Sequence, residues 1–377
     1  MGQTASTEGT SRQHVVIIGG GYGGTSVAKQ LQGDFKVTLI DPKEAFHHCV
    51  ASLRACTEIG VVKQTFIPYE PTFGESFKRG FVESIDWNVK KVKLNGGEEI
   101  EYDFLVLATG SRGTLPSKVS GGENTSVYIS QYAEIYHKIQ SSQDVVVIGG
   151  GAVGAEMAGE LVTDYKDKNV TLVHSKNQLI EGNFNSKFRD GATDQLQAKG
   201  VRLVLGERVS NLDELSQNGS SRSTVRTDKG TTIDADLVIS CLGLPCNSSA
   251  YESSMSSYME ETGHLKVNSF LQVIGMEDVF AIGDCCNIDP VKLAFLAAQH
   301  GEVVAKNIKL ISQGKTKLKP WKNPGPIMLL PVGRDGGMFQ AGPLVFGSFF
   351  TRKLKSEGLF ISKQWGMMNQ KVPTLKD

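Results

Sequence analysis

The chain lacks any run of the roughly 18 apolar residues that a membrane-spanning helix needs. Cysteine is scarce. The six thiols stand at positions 49, 56, 241, 246, 285 and 286 of 377, with no C-x-x-C pair and no zinc-like Cys/His spacing. That excludes a thioredoxin-like motif, and no metal site is expected. No secretory leader is visible, so reduced thiols in the cytosol are the expectation. An excess of either charge is missing too. Forty Lys and Arg balance forty Asp and Glu, which removes bulk attraction to nucleic acid. No acid/base dyad stands out.

What the chain has is glycine at fixed spacing. His14 to Asp41 reads HVVIIGGGYGGTSVAKQLQGDFKVTLID. Val15 to Ile18 is an apolar β-branched run, as in a buried parallel strand. Gly19, Gly21 and Gly24 follow in G-x-G-x-x-G order, with Gly20, Tyr22 and Gly23 between them. The first glycine permits a tight turn, the second lets a pyrophosphate approach, and the third lets the next helix pack closely. Thr25 to Leu31 continues as that helix, whose N-terminus favours a phosphate. Val37 to Ile40 is a second strand, ending on Asp41, whose carboxylate can take ribose hydroxyls. Strand, glycines, helix, strand and acid together predict a dinucleotide site.

The unit then repeats. Asp144 to Ile148 precedes Gly149, Gly151 and Gly154, a helix over Ala155 to Val162, and a strand over Val170 to Val173. Two fingerprints about 130 residues apart predict two nucleotide folds. The copies differ at the second strand's end. The first has Asp41. The second has His174, Ser175 and Lys176, which tolerate a 2′-phosphate that an acid would repel, so NADPH or NADH is expected there. Glu156 admits two roles, complementing the dipole in the first helical turn or facing the nicotinamide.

Further strands end in small residues. Phe104 to Leu107 runs into Ala108, Thr109 and Gly110, which leave room for a cofactor. Asp236 to Gly243 repeats that logic. Asp278 to Ile282 ends at Gly283 and Asp284, placing a carboxylate where ribityl hydroxyls bind. Asp289 is positioned to cap a helix running from Lys292 to Ile308, with Pro290 in its first turn. Arg54 offers a fixed fork of donors to a pyrophosphate or ring system, or is simply a surface arginine. His47 and His48 read as satisfied loop histidines, and Cys49 and Cys56 as packing cysteines.

The ends carry membrane signals. Met1 to Ser6 matches M-G-x-x-x-[ST], so N-myristoylation of Gly2 is expected, on a flexible arm. Gly342 to Lys355 reads GPLVFGSFFTRKLK. There Phe346, Phe349, Phe350 and Leu354 are expected to share a helical face beside Arg352, Lys353 and Lys355, suiting an interfacial contact. Aromatics that cover the first nucleotide domain are the alternative.

From Gln13 to Leu310, on the four motifs at Gly19–Gly24, Ala108–Gly110, Gly149–Gly154 and Gly283–Asp284, the chain resembles the two-dinucleotide-domain flavoproteins. Asp41 followed by Phe46, His47, His48 and Leu53 is similar to type II NADH:quinone oxidoreductases. The whole chain is more similar still to the ferroptosis-suppressing, apoptosis-inducing-factor-like flavoproteins. It departs from them at Tyr22, where phenylalanine is common, and at Cys286 beside Cys285. The resemblance implies an α/β architecture of two Rossmann-like domains: a flexible arm at 1–12, an FAD domain at 13–115 and 244–312, an inserted NAD(P)H domain at 116–243, and a small C-terminal region at 313–377. It implies FAD contacts at Gly19 to Gly23, Arg54, Val82 and Asp284, beside which Gly24, Asp41, Ala108, Thr109, Gly110 and Lys292 are expected to line the FAD site. The second fingerprint puts the expected NAD(P)H contacts at Gly149, Gly151, Gly154, Glu156, His174 and Lys176. The expected activity is FAD-dependent NAD(P)H:quinone reduction by a monomer or weak homodimer. Its place would be the cytosol and the cytosolic face of a lipid droplet, plasma membrane or mitochondrial outer membrane, where the quinol suppresses lipid peroxidation. A thiol-disulfide reductase using Cys49, and a DNA-binding pro-apoptotic role, are the rival expectations.

Overall fold

Parallel strands buried on both faces organise each half of the chain. The computed structural model describes residues 12–217 and 222–373. Gly2 lies outside them. The chain divides into two units, one formed by 12–42, 73–111 and 246–322, the other by 43–72, 112–245 and 323–373.

In the first unit, five parallel strands lie in the order Val279–Ala281, Phe104–Leu107, His14–Ile18, Lys36–Asp41 and Phe77–Arg79. Val15, Val16, Ile17, Leu105 and Val106 are wholly buried, as continuous apolar runs in a two-sided sheet should be. The helix after the first glycines spans Tyr22–Leu31, not Thr25 to Leu31. Gly23 and Gly24 fall inside its first turn because close packing needs them there. A Cβ on Gly23 would lie 2.9 Å from Ile282, and one on Gly24 1.9 Å from the Gly19 carbonyl. The helix lies against a second one, Ala294–Ser312. Val82–Asp86, Lys91–Leu94 and Glu99–Glu101 form an antiparallel meander.

In the second unit, four parallel strands lie in the order Arg202–Leu205, Asn169–His174, Asp144–Ile148 and Leu237–Ser240. Its fingerprint helix is Ala152–Asp164. The last segment adds an antiparallel sheet of Ile327–Val332, Gly336–Ala341 and Leu344–Phe346, then short helices.

Strand register makes the duplication concrete. Ile18 pairs with Ile40, so Asp41 is the next residue of its strand. Ile148 pairs with Val173, so His174 holds the equivalent place. No helix among the described residues is long and apolar enough to cross a membrane.

Candidate functional site

The two glycine turns were built the same way. Gly19 has φ +105° and Gly149 φ +111°, a left-handed conformation that glycine adopts without strain. A Cβ on Gly19 would sit 2.3 Å from the Ala108 carbonyl oxygen, and one on Gly149 2.5 Å from that of Cys241. The third glycine of each copy, Gly24 or Gly154, would put a Cβ within 1.9 or 1.8 Å of the first glycine's carbonyl. The middle ones, Gly21 and Gly151, face open space: nothing lies within 4 Å of a Cβ built there. Each precedes a helix N-terminus that carries no acidic side chain in its first turn. Open space at a helix N-terminus is what a pyrophosphate requires. Either turn has the room that a dinucleotide needs.

Around the first turn, the Gly20 N–H donates to Asp41 Oδ2 at 2.7 Å. Asp41 is buried. Ala108, Thr109 and Gly110 continue the neighbouring strand. The Ala108 N–H bonds the Ile18 carbonyl at 2.8 Å, and Thr109 Oγ1 donates to Asn247 O at 2.6 Å. Asp284 Oδ2 accepts from Ser111 Oγ at 2.6 Å. Lys292 donates to the Cys286 carbonyl. Val82 packs, half-buried, on the core of this unit. Gly19 to Gly24, Asp41, Val82, Ala108 to Gly110, Asp284 and Lys292 all lie in the first unit. Asp289 does not cap a helix, in contrast to the sequence expectation. The helix begins at Ala294, capped by the Leu293 backbone, and the Asp289 carboxylate is taken by His300 and Trp321 instead.

Around the second turn, His174 takes the place of Asp41. Its ring lies under Gly150, where a Cβ would come within 2.6 Å of it. His174 Nε2 is buried and has no hydrogen-bond partner among the described residues. Burial lowers the His174 pKa, with Glu181 opposing. Lys176 is exposed, 3.9 Å from Glu181. Gly149, Gly151, Gly154, Glu156, His174 and Lys176 all lie in the second unit.

Glu156 is not in the first helical turn. The helix starts at Ala152, three residues earlier than expected, which puts Glu156 one turn deeper, beyond the reach of dipole compensation. Its Oε1 instead takes Lys355 Nζ at 2.8 Å. Burial raises the Glu156 carboxyl above the ordinary range, against the pull of Lys355. One turn on, Glu160 takes Arg54 bidentately: Nε at 3.0 Å and Nη2 at 2.8 Å, while Nη1 donates to Ser356 O at 2.6 Å. Arg54 is thus a buried residue of the second unit, not a surface one, and its fork holds a carboxylate of this chain. Glu160 and Lys355 were missed as partners. The signal available was the i, i+4 spacing of Glu156 and Glu160, which places two carboxylates on one helix face.

His47 and His48 are satisfied, as expected. His47 Nε2 meets Tyr132 OH at 2.8 Å, and His48 Nε2 donates to Leu359 O at 2.7 Å. Burial pushes their pKa values down to about 3 and about 4. Both are therefore neutral near pH 7. All six cysteines are free thiols. Burial pushes Cys56 up, which disfavours a reactive thiolate.

The C-terminal aromatics do not share one helix. Phe346 ends a strand and stacks on Phe339, because the antiparallel sheet claims it first. Phe349 and Phe350 lie in the short helix Ser348–Thr351, which runs on directly into the π-helical segment Arg352–Ser356 that carries Leu354. Phe349, Phe350 and Leu354 are nonetheless 67%, 48% and 47% exposed, an apolar patch beside Arg352 and Lys353.

Comparison with known proteins agrees with this architecture. Residues 13–305 match the family described as pyridine nucleotide-disulphide oxidoreductase. The chain is 41% identical to ferroptosis suppressor protein 1 of Homo sapiens over 375 residues, 99% of this chain and 100% of that one. It is 36% identical to apoptosis-inducing factor homolog B of Dictyostelium discoideum over 386 residues, 97% of this chain and 100% of that one. Among solved structures, the sulfide:quinone oxidoreductase of Aquifex aeolicus superposes with a TM-score of 0.75 at 19% identity, covering 97% of this chain and 94% of that one. That last likeness is one of fold.

Proposed function

We propose that this chain, which belongs to the pyridine nucleotide-disulphide oxidoreductase family and is an FAD-dependent NAD(P)H oxidoreductase, delivers its electrons to a lipid-soluble quinone of the ubiquinone or naphthoquinone type. One observation carries the reading: two nucleotide turns built alike, with Asp41 in one and His174 at the same register in the other. Bound FAD supplies a ring that accepts a hydride from NAD(P)H and passes electrons to an acceptor.

The protein binds, orients and excludes water. Gly21 leaves the FAD pyrophosphate its room, and Asp41 and Asp284 present carboxylates to hydroxyl groups. Gly151 leaves the same room for NAD(P)H. His174, with an unpartnered buried nitrogen, and Lys176 accept either a 2′-hydroxyl or a 2′-phosphate. Glu156, on the nicotinamide side, is held by Lys355. Quinone as acceptor is supported by the whole-length likeness to a protein named as a ferroptosis suppressor, since a quinol that traps radicals would limit lipid peroxidation. The exposed patch of Phe349, Phe350 and Leu354 suits a lipid surface. A myristoyl group on Gly2 gives only marginal binding alone, and the patch supplies a second contact.

The test is anaerobic mixing with NADPH or NADH, followed by a panel of acceptors. The flavin colour should bleach with the nucleotide and return with a quinone but not with a disulfide. A bleached protein that disulfides reoxidise and quinones do not would overturn quinone as acceptor and revive Cys49. In the same preparation, Gly2→Ala should reduce the membrane-bound fraction, and an unchanged fraction would remove the lipid anchor.

Lys355→Met isolates Glu156. Without the ammonium, its carboxyl rises further. A carboxyl raised on folding binds its proton more tightly in the native state, so stability falls as pH rises from the ordinary carboxylate range through the native value. The variant should therefore lose about 2 kcal/mol at pH 7 and much less at pH 4.5, measured by melting across that range. A loss independent of pH would separate Lys355 from Glu156.

A further inference from the structure

The first unit contains a buried His–Asp–Trp chain that no cofactor assignment uses. His300, 1% exposed, lies in the Ala294–Ser312 helix. Its Nδ1 accepts the Gly283 N–H at 3.1 Å. Its Nε2 lies 2.7 Å from Asp289 Oδ2. Asp289 is 3% exposed, and its other oxygen accepts Trp321 Nε1–H at 3.2 Å. The Trp321 ring meets the imidazole edge-on, with centroids 4.4 Å apart at 82°.

This chain of bonds fixes the tautomer. A ring nitrogen that accepts a backbone N–H carries no proton, so the imidazole proton sits on Nε2 and goes to Asp289. Trp321 holds the carboxylate in place. The bond that results is made to a turn with little freedom of its own: Gly283 has φ +70°, and a Cβ there would lie 3.1 Å from Ala297. Asp284 follows directly. The same stretch of helix also grips the phosphate side of the unit. Ser26 Oγ donates to Ala298 O at 3.0 Å, and a Cβ on Gly301 would come 2.7 Å from the Gly23 carbonyl. His300 therefore sits where the helix carrying Gly23 and the turn carrying Asp284 are tied together.

We infer that His300, with its proton placed by Asp289 and Trp321, is a positioning residue for FAD that sets the Gly283–Asp284 turn against the Tyr22–Leu31 helix. This rests on the reading of Asp284 as a flavin contact. Two isosteres separate the bonds. In His300→Asn the amide oxygen overlays Nδ1 and still accepts from Gly283, while the bond to Asp289 is lost. In His300→Gln the amide nitrogen overlays Nε2 and still serves Asp289, while Gly283 loses its acceptor.

FAD dissociation constants, measured by titrating the apoprotein and following flavin fluorescence, should rise about tenfold for His300→Gln and less than about threefold for His300→Asn. The visible circular dichroism of the bound flavin should change only in the glutamine variant. Equal losses, or none in either, would overturn the inference. Should both variants fail to fold, Trp321→Phe decides it. That change keeps the ring against the imidazole and removes the donor to Asp289, so FAD binding should weaken about threefold; unchanged binding overturns the inference. Asp284→Ala is the control. If it keeps full FAD affinity, the assignment of Asp284 fails. If it loses affinity while His300→Gln does not, only the role of His300 fails.

Discussion

Gly21→Val should yield a folded, colourless protein, whereas Gly151→Val should yield a yellow one that NAD(P)H cannot reduce. Both glycines have extended backbones that any residue adopts, with φ −73° and ψ −166° at Gly21 and φ −71° and ψ −175° at Gly151. Nothing stands within 4 Å of a Cβ at either. A valine therefore fits the free protein and stays folded. What it fills is the space a pyrophosphate needs. Overpacking of this kind costs about 3 kcal/mol or more, so affinity for the displaced nucleotide should fall on the order of 100-fold. Melting curves of the apoprotein check that folding is intact. Bound flavin is counted from the absorbance of the purified protein. For Gly151→Val, dithionite should still bleach the flavin at the normal rate while NADPH and NADH fail. The same substitution in two copies of one turn thus assigns each copy its ligand. If Gly151→Val lost flavin and Gly21→Val kept it, the assignments are reversed.

The duplication was legible because its cause is local. Gly19 and Gly149 need positive φ, and Gly24 and Gly154 need the absence of a Cβ, whatever surrounds them. Such demands show in a single sequence. The small residues at Ala108 and Gly110 were legible for the same reason. The helix starts were misplaced by three residues in both copies, at Tyr22 and Ala152, since glycine in a first turn reads as loop until its packing partner is known. Long-range polar pairs were not legible. Glu160 meets Arg54 across 106 positions and Glu156 meets Lys355 across 199. Asp289 looked like a helix cap because Pro290 follows it, yet His300 and Trp321 compete for its oxygens from 11 and 32 residues away. Phe346 looked helical until a strand partner at Phe339 appeared.

Arg54→Met should destabilise the protein by about 3–5 kcal/mol, and adding Glu160→Gln should recover most of that loss. Arg54 and Glu160 are 4% and 3% exposed and joined by two charge-assisted bonds. Removing the guanidinium leaves a carboxylate in a site that water does not reach, and the penalty is the stranded charge more than the lost attraction. Neutralising Glu160 removes that penalty, so the double variant should be more stable than Arg54→Met although it has lost one more native group. Denaturant titration of the four proteins of the cycle gives the coupling. The cycle also decides what Arg54 does. The resemblance to quinone-reducing flavoproteins implies that it touches FAD, whereas its guanidinium is engaged by Glu160 and Ser356. If flavin affinity returns with stability in the double variant, Arg54 serves FAD by holding the helix that bears Glu156. If stability returns and flavin affinity does not, the guanidinium itself contacts the cofactor and must leave Glu160 to do so.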